Sequence, residues 1–243
     1  MKVTVVTAVL NGVSTIAECI ASVQAQSYAN IEHLVVDGGS TDGTIELLES
    51  MGVSFISSRD AGIYNAFNKG IRLATGDVIH ILNADDKYKN NKVVEDVMSK
   101  LSETAADICH GRIEQTSDTG EVLRLVGRDI NLTQLRKKMW VAHPSVFVRR
   151  EVYSTYGLFS EGFKVAADHE FLLRVWSKVN ITFLPEVLVT MRLGGASNSQ
   201  VELSYRESMA ASVIHGAHPL KAVTRYYFER AKSLLLRWRS NEN

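Results

Sequence analysis

An α/β fold with a doubly wound, mainly parallel sheet is what this sequence predicts. Residues 1–90 alternate β-branched runs with stretches of helical periodicity. The runs are apolar almost throughout, as strands covered on both faces must be. Polar clusters follow three of them, at 7–11, 37–42 and 83–86. In such sheets ligands bind beyond the carboxyl ends of the strands, so topology should gather these distant clusters on one rim.

Taken in order, residues 2–9 form the first predicted strand. Ile16, Ile20 and Val23 put a helix over 14–25, and 31–36 is a second strand that runs into Asp37 and a glycine pair. A helix over 44–51 follows the turn residue Asp42, then a strand over 53–57, a helix over 61–74 and a strand over 78–82. Beyond Asp86 the alternation weakens. A helix is expected over 93–101, and strands over 108–113 and 122–126 with Asp118 and Gly120 in the turn between them. Strands are also expected over 146–148 and 182–184, and helices over 171–179 and 203–215. With three prolines and no low-complexity linker, residues 1–218 read as one domain and 219–243 as a C-terminal helical extension.

Composition narrows the function. Of 243 residues, 45% are hydrophobic and 22% charged, which excludes a disordered chain. Basic and acidic side chains balance at 27 each, so there is no excess of cations for nucleic acid. Two cysteines, Cys19 and Cys109, are too few for a disulfide framework or a zinc site and suit a reducing compartment. The N-terminus lacks the pattern of a signal peptide, and no apolar run reaches the ~18 residues that span a bilayer. The expected location is cytoplasmic.

A nucleotide diphosphate presents a base, a ribose and two anionic phosphates. Asp37 ends a buried strand, where a carboxylate needs a partner. Asp85 and Asp86 also follow a strand, and adjacent like charges suit a hard divalent cation, Mg²⁺ or Mn²⁺. The order and spacing of VVDGGSTDGT, RDAGIYNAFNKGIRLATGD and ILNADD resemble glycosyltransferase family 2, of GT-A fold. The resemblance continues through HPSVFVRR, AADHEFLLR and MRLGGAS.

That resemblance implies an inverting, metal-dependent enzyme of the surface-polysaccharide type. It would move a sugar from a nucleotide-diphosphate donor, UDP-sugar foremost, to a hydroxyl of a saccharide or lipid-linked acceptor. It implies nucleobase contacts at Thr7, Ala8 and Asn11, base or ribose contacts at Asp37, a metal ligand at Asp86 with Asp85 beside ribose or metal, and a catalytic base at Asp168. Asn83 stands where the fuller motif has a leading carboxylate, Ala167 where relatives often carry Glu, and Phe67 where many carry Arg.

Several of these residues have a plainer reading beside the functional one. Asp42 suits a turn, Asp168 a helix N-cap, and Asp85 and Asp86 a cap for a helix over 90–101. Asp60 reads equally as a cap or a donor contact. His143 is either structural or a diphosphate or acceptor contact. Arg192 with Gly194 and Gly195 either ends a strand or forms a lid over the diphosphate.

Within 219–243, Val223, Tyr227, Ala231, Leu234 and Trp238 share one helical face, with Phe228 and Leu235 beside it. Lys221, Arg225, Lys232, Arg237 and Arg239 flank the stripe. Such a helix suits the catalytic core, a second subunit of a homo-oligomer, or an anionic membrane inner face. Two other functions compete. Nucleotidyl transfer also uses carboxylates and Mg²⁺ but needs a basic glycine-rich loop that TAVLNGVSTI lacks. A non-catalytic nucleotide-sugar-binding subunit would have no need of Asp168.

Overall fold

The computed structural model describes residues 1–117, 119–192 and 200–240, with 232–240 described through backbone alone. The expected turn at Asp118, the glycines at 194 and 195, and the side chains of Lys232, Leu234, Leu235, Arg237, Trp238 and Arg239 lie outside the described residues.

The first half is a parallel block. β1 (Val3–Val9) pairs with β2 (Ile31–Asp37) on one side and β4 (Val78–Ile81) on the other, and β3 (Ser54–Ser57) adds to β2. The crossovers are α1 (Ile16–Gln24), α2 (Thr44–Ser50) and α3 (Ile63–Leu73). Successive side chains of a strand point to opposite faces. Val3, Val5 and Val9 pack with Ile16, Ile20 and Leu48 from α1 and α2, whereas Val6 and Val36 pack with Tyr64, Phe67 and Ile71 from α3. Helices therefore cover both faces, as the continuous apolar runs require.

The second half is more mixed. β5 (Asp86–Tyr88), α4 (Val93–Thr104), β6 (Ile108–Thr116), β7 (Val122–Val126), α5 (Leu132–Leu135), β8 (Val146–Arg149), α6 (Arg150–Tyr156), α7 (Ala167–Val175) and β9 (Ile181–Arg192) follow in that order. The sheet reads β3-β2-β1-β4-β8-β6-β9-β5, with β7 on β6. β8 is antiparallel to both β4 and β6, while β6 and β9 are parallel.

β9 runs eight residues beyond the expected 182–184. Its middle is exposed and shifts register against β6, which hides it from pattern reading. Asp86 opens β5 rather than capping a helix, and β5 pairs antiparallel with β9. The helix expected over 171–179 starts earlier, at Ala167, which places Asp168 inside its first turn.

Two helices close the chain, α8 (Val201–Ile214) and α9 (Pro219–Ser240). α9 docks on α8 through Tyr226 Oη, which donates to Glu202 at 2.8 Å, and through an Arg230–Glu202 ion pair at 3.1 Å. Leu220, Val223, Tyr227 and Phe228 remain exposed. Among the described residues, no helix is long and apolar enough to cross a membrane.

Close packing of α3 on β1 depends on one glycine. A Cβ on Gly70 would lie 2.2 Å from Val6 Cγ1 and 3.2 Å from Val36 Cγ2. An alanine there would gain ~1 kcal/mol of helix propensity but overpack a core position, which costs ~1–3 kcal/mol. The steric term wins because Val6 is fully buried and cannot retreat. Gly70→Ala is expected to lower the urea midpoint; an unchanged or raised midpoint would show that the interface has slack.

Candidate active site

The strand ends converge. Val9 sits opposite Asp37 in the β1–β2 ladder, and Val6 opposite Ile81 in the β1–β4 ladder, so the segments after β1, β2 and β4 emerge on one rim. A cleft of about 730 Å³ opens there. Of the residues expected to form a site, Ala8, Asn11, Asp85, Asp86, His143, Asp168 and Arg192 line it. Thr7, Asp37 and Asp60 do not.

Those three serve the rim from behind. Thr7 is fully buried, with its hydroxyl 3.0 Å from His33 Nε2. Asp37 is also fully buried, and its carboxylate accepts from Gly39 N at 2.9 Å, Ser40 N, Ser40 Oγ, and Ser57 Oγ at 2.6 Å. Burial alone would raise its pKa, but the Ser40, Ser57 and Gly39 donors outweigh it and hold the group below the ordinary carboxylate value. Ser40 Oγ accepts in turn from Asn11 N at 2.7 Å, and Asn11 Oδ1 accepts from Thr41 N at 2.9 Å. Asp37 is thus the hub that ties the ends of β1, β2 and β3 together.

Asp60 lies beside this knot. Its Oδ1 accepts from Gly62 N at 3.0 Å where the chain turns into α3. Its Oδ2 fills the space that a side chain at position 38 would take, only 2.7 Å from the place of a Cβ on Gly38. The glycine after Asp37 therefore makes room for a carboxylate of the protein itself. Asp42 is a turn residue, accepting from Thr44 N and Val13 N at 3.1 Å each.

Asp86 is the opposite case. It is 1% exposed; Oδ2 accepts from Asn83 Nδ2 at 2.8 Å, and Oδ1 has no hydrogen-bond partner. Burial, with the neighbouring Asp85 charge, pushes its pKa well above the ordinary carboxylate range, against the pull of Asn83. A buried, unmatched carboxylate oxygen is costly without a cation. Among the described residues no cluster of three or more His, Cys, Asp or Glu is assembled for a metal. One or two carboxylates, completed by ligand phosphates and water, suit Mg²⁺ or Mn²⁺. The residues present fit such an ion.

Asp168 is the second residue of α7, where the helix dipole favours an anion. It is not the N-cap. That position is Ala166, which has no side-chain acceptor; Glu207 of α8 instead fastens the backbone just ahead of the helix. Its carboxylate accepts from Lys164 N at 2.8 Å, Val165 N at 2.8 Å and Ala166 N at 3.0 Å. Tyr64 Oη of α3 donates to Asp168 Oδ1 at 3.2 Å.

His143 opens a short 3₁₀ turn and stacks on Phe67 at 5.9 Å. Burial lowers its pKa despite the nearby Asp168, which favours the neutral imidazole. Arg192 ends β9 and leans 3.7 Å from Glu18. Both cysteines are buried and free, and burial pushes each thiol up to about 12, so neither is a nucleophile.

Sequence reasoning missed Tyr64, Asn68, Glu207 and the cleft residues Arg124, Lys164 and Tyr205. Tyr64 and Asn68 lie in GIYNAFNKG, a segment that had carried only the family resemblance. Asn68 is buried and bonds both Phe159 N at 3.0 Å and Phe159 O at 2.9 Å. The Glu207 contacts span more than 40 residues and leave no local signal.

Comparison with known proteins identifies the family and the fold. Residues 4–157 match the family model described as Glycosyl transferase family 2. A PGL/p-HBAD biosynthesis glycosyltransferase of Mycobacterium bovis is 29% identical over 213 residues, covering 84% of this chain and 82% of its own. An uncharacterized glycosyltransferase of Mycobacterium tuberculosis is 32% identical over 184 residues, covering 71% and 68%. Among solved structures, S. aureus TarS in complex with UDP-GlcNAc superposes with a TM-score of 0.73 at 18% identity, over 93% of this chain and 70% of that one. A Pyrobaculum calidifontis mannosyltransferase in complex with GDP-Man and Mn²⁺ gives 0.70 at 18% identity, over 94% and 68%. The mixed α/β architecture is that of the GT-A glycosyltransferases, and with its family model matched over most of its length this chain belongs to glycosyl transferase family 2.

Proposed function

We propose that this glycosyltransferase moves a sugar from a nucleotide-diphosphate sugar, preferentially a UDP-sugar, to a hydroxyl of a saccharide or lipid-linked saccharide, by single displacement with inversion. The observation that carries this reading is that one cleft holds both Asp86, with its unmatched oxygen, and Asp168, at the start of a helix. The complexes of TarS with UDP-GlcNAc and of the mannosyltransferase with GDP-Man and Mn²⁺ support the donor class and the ion. Met139, Val141 and Val126 make part of the cleft apolar, which suits a non-polar portion of the acceptor.

In this mechanism Asp168 accepts the proton of the acceptor hydroxyl as that oxygen attacks the anomeric carbon and the bond to the diphosphate breaks. The transition state has oxocarbenium character. Ala8, Asn11, Asp37 and Asp60 shape the nucleoside end, Thr7 through its backbone. Arg192 faces the phosphates, and His143 offers a neutral hydrogen bond. A divalent cation held by Asp86, with Asp85 beside it, supplies Lewis-acid stabilisation of the leaving diphosphate when bound.

Residues 1–218 form the catalytic domain in this reading and 219–243 an amphipathic extension. Exposed Leu220, Val223, Tyr227 and Phe228, with Lys221 and Arg225 along the same helix, support contact with an anionic membrane surface.

Asp168→Asn is expected to lower kcat by ~10²–10⁴-fold while calorimetric donor affinity stays within a few-fold. Near-normal transfer by this variant would remove the base assignment. NMR of the product from an α-linked donor should show a β-linkage, and retention of configuration would refute single displacement.

Asp86→Ala should abolish Mn²⁺-dependent nucleotide binding. Asp86→Asn separates binding from folding. Below the ordinary carboxylate value of 3.8 both folded and unfolded chains carry the Asp86 proton. Above it only the folded state does, so this group's contribution to stability falls as pH rises toward the raised folded value. In EDTA near neutral pH the amide variant should therefore melt higher than the parent, by about 2–4 °C per kcal/mol gained. The gap should close on acidification; a lower melting temperature at pH 7 would contradict the unmatched charge.

Vesicles containing anionic lipid should float the full chain but not one ending at residue 218. Equal flotation of the two would exclude the extension as the contact.

A further inference from the structure

The segment GIYNAFNKG folds into the first two turns of α3 and lies against the loop that leads to α7. Asn68 clamps Phe159 through both its backbone groups, and Asn65 and Asn68 each donate to Glu161, at 3.0 and 2.9 Å. Tyr64 completes the series one turn earlier, with its hydroxyl on Asp168. Its ring is 7% exposed and wedged between Phe67 and Phe159, with centroids 5.8 and 5.7 Å away. The phenol therefore has one place to point.

We propose that Tyr64 is a positioning residue for the transfer reaction: it holds Asp168 Oδ1 and so turns Oδ2 toward the acceptor hydroxyl. This rests on the assignment of Asp168 as the base. A carboxylate on a helix start has two oxygens and a rotatable end, and only one orientation aims a lone pair at the incoming proton. A donor on one oxygen selects that orientation. Burial and the Asp168 charge push the Tyr64 pKa further up, so the phenol remains a donor at every working pH. No other side chain hydrogen-bonds Asp168 among the described residues. Charged or titratable groups near it are His143 from the 3₁₀ turn, His169 on its own helix and Lys164 on the loop before it.

Tyr64→Phe keeps the ring and its packing and removes only the donor. Single-turnover transfer should slow by about 10–100-fold, the size expected when a reacting group loses its alignment. Donor KM should stay within about twofold and the melting temperature close to the parent's. The decisive comparison is the double variant: Tyr64→Phe with Asp168→Asn should be no slower than Asp168→Asn alone. A parental rate in Tyr64→Phe, or an additive loss in the double variant, overturns the proposal while leaving Asp168 as base. Full activity in Asp168→Asn alone overturns the base and the proposal with it.

Discussion

The dual register of β1 is the constraint on which the rest of the molecule depends. β1 pairs in parallel with β2 on one side and β4 on the other, and both of these strands lead into cleft or supporting residues. Parallel pairing forces these chains to run the same way, and each therefore releases its loop on the same side. Slipping β1 by one residue would turn Val5 and Val6 to the wrong faces and pull the rim apart. Residues 8, 11, 85 and 86 share a cleft because of backbone hydrogen bonds made far from it.

Two aspartates at that rim show how one side-chain type takes opposite roles. Asp37 is surrounded by donors of the protein itself, which makes it a fastener. Asp86 is almost equally buried but receives one hydrogen bond, from Asn83, and is left short of positive charge. Burial sets the cost of a carboxylate; the donors around it decide whether that cost is met by the fold or left for a ligand. By this criterion the acidic residue at the end of β2 supports the rim, and the one that opens β5 lines the cleft with an unmatched oxygen.

The parallel half was legible in the sequence because buried parallel strands leave long β-branched runs and their crossovers carry clear periodicity. The expected 31–36 and 78–82 strands fall within a residue of Ile31–Asp37 and Val78–Ile81. Beyond Asp86 the signal decays for physical reasons. β9 is half-exposed and irregular, β5 is three residues long, and α5 and α6 are too short to show a period. The polar residues of the rim could be named from their places after strands, but their division of labour could not. Whether a carboxylate is satisfied depends on hydroxyls such as Ser57 and amides such as Asn83, whose roles only the fold reveals. Tyr64 and Glu207 converge on the start of α7 from positions 104 and about 40 residues distant, and no local pattern marks such pairs.

The charge balance of the cleft argues for how donor and cation would arrive. Among the described lining residues, Arg124, Lys164 and Arg192 face Asp85, Asp86 and Asp168. Arg124 already donates to Gln115, and Arg192 leans toward Glu18. His143 is held neutral by burial, and Phe67 offers no charge. A diphosphate entering alone would add negative charge beside two carboxylates in a partly desolvated site. Like charges at ~4 Å repel by ~4 kcal/mol at an effective dielectric constant near 20. A divalent ion held by Asp86 would offset that repulsion and supply positive charge beside its unmatched Oδ1. Under the proposed reaction, cation and nucleotide are therefore each poor ligands alone and good ligands together, and this coupling follows from the side chains that line the cleft.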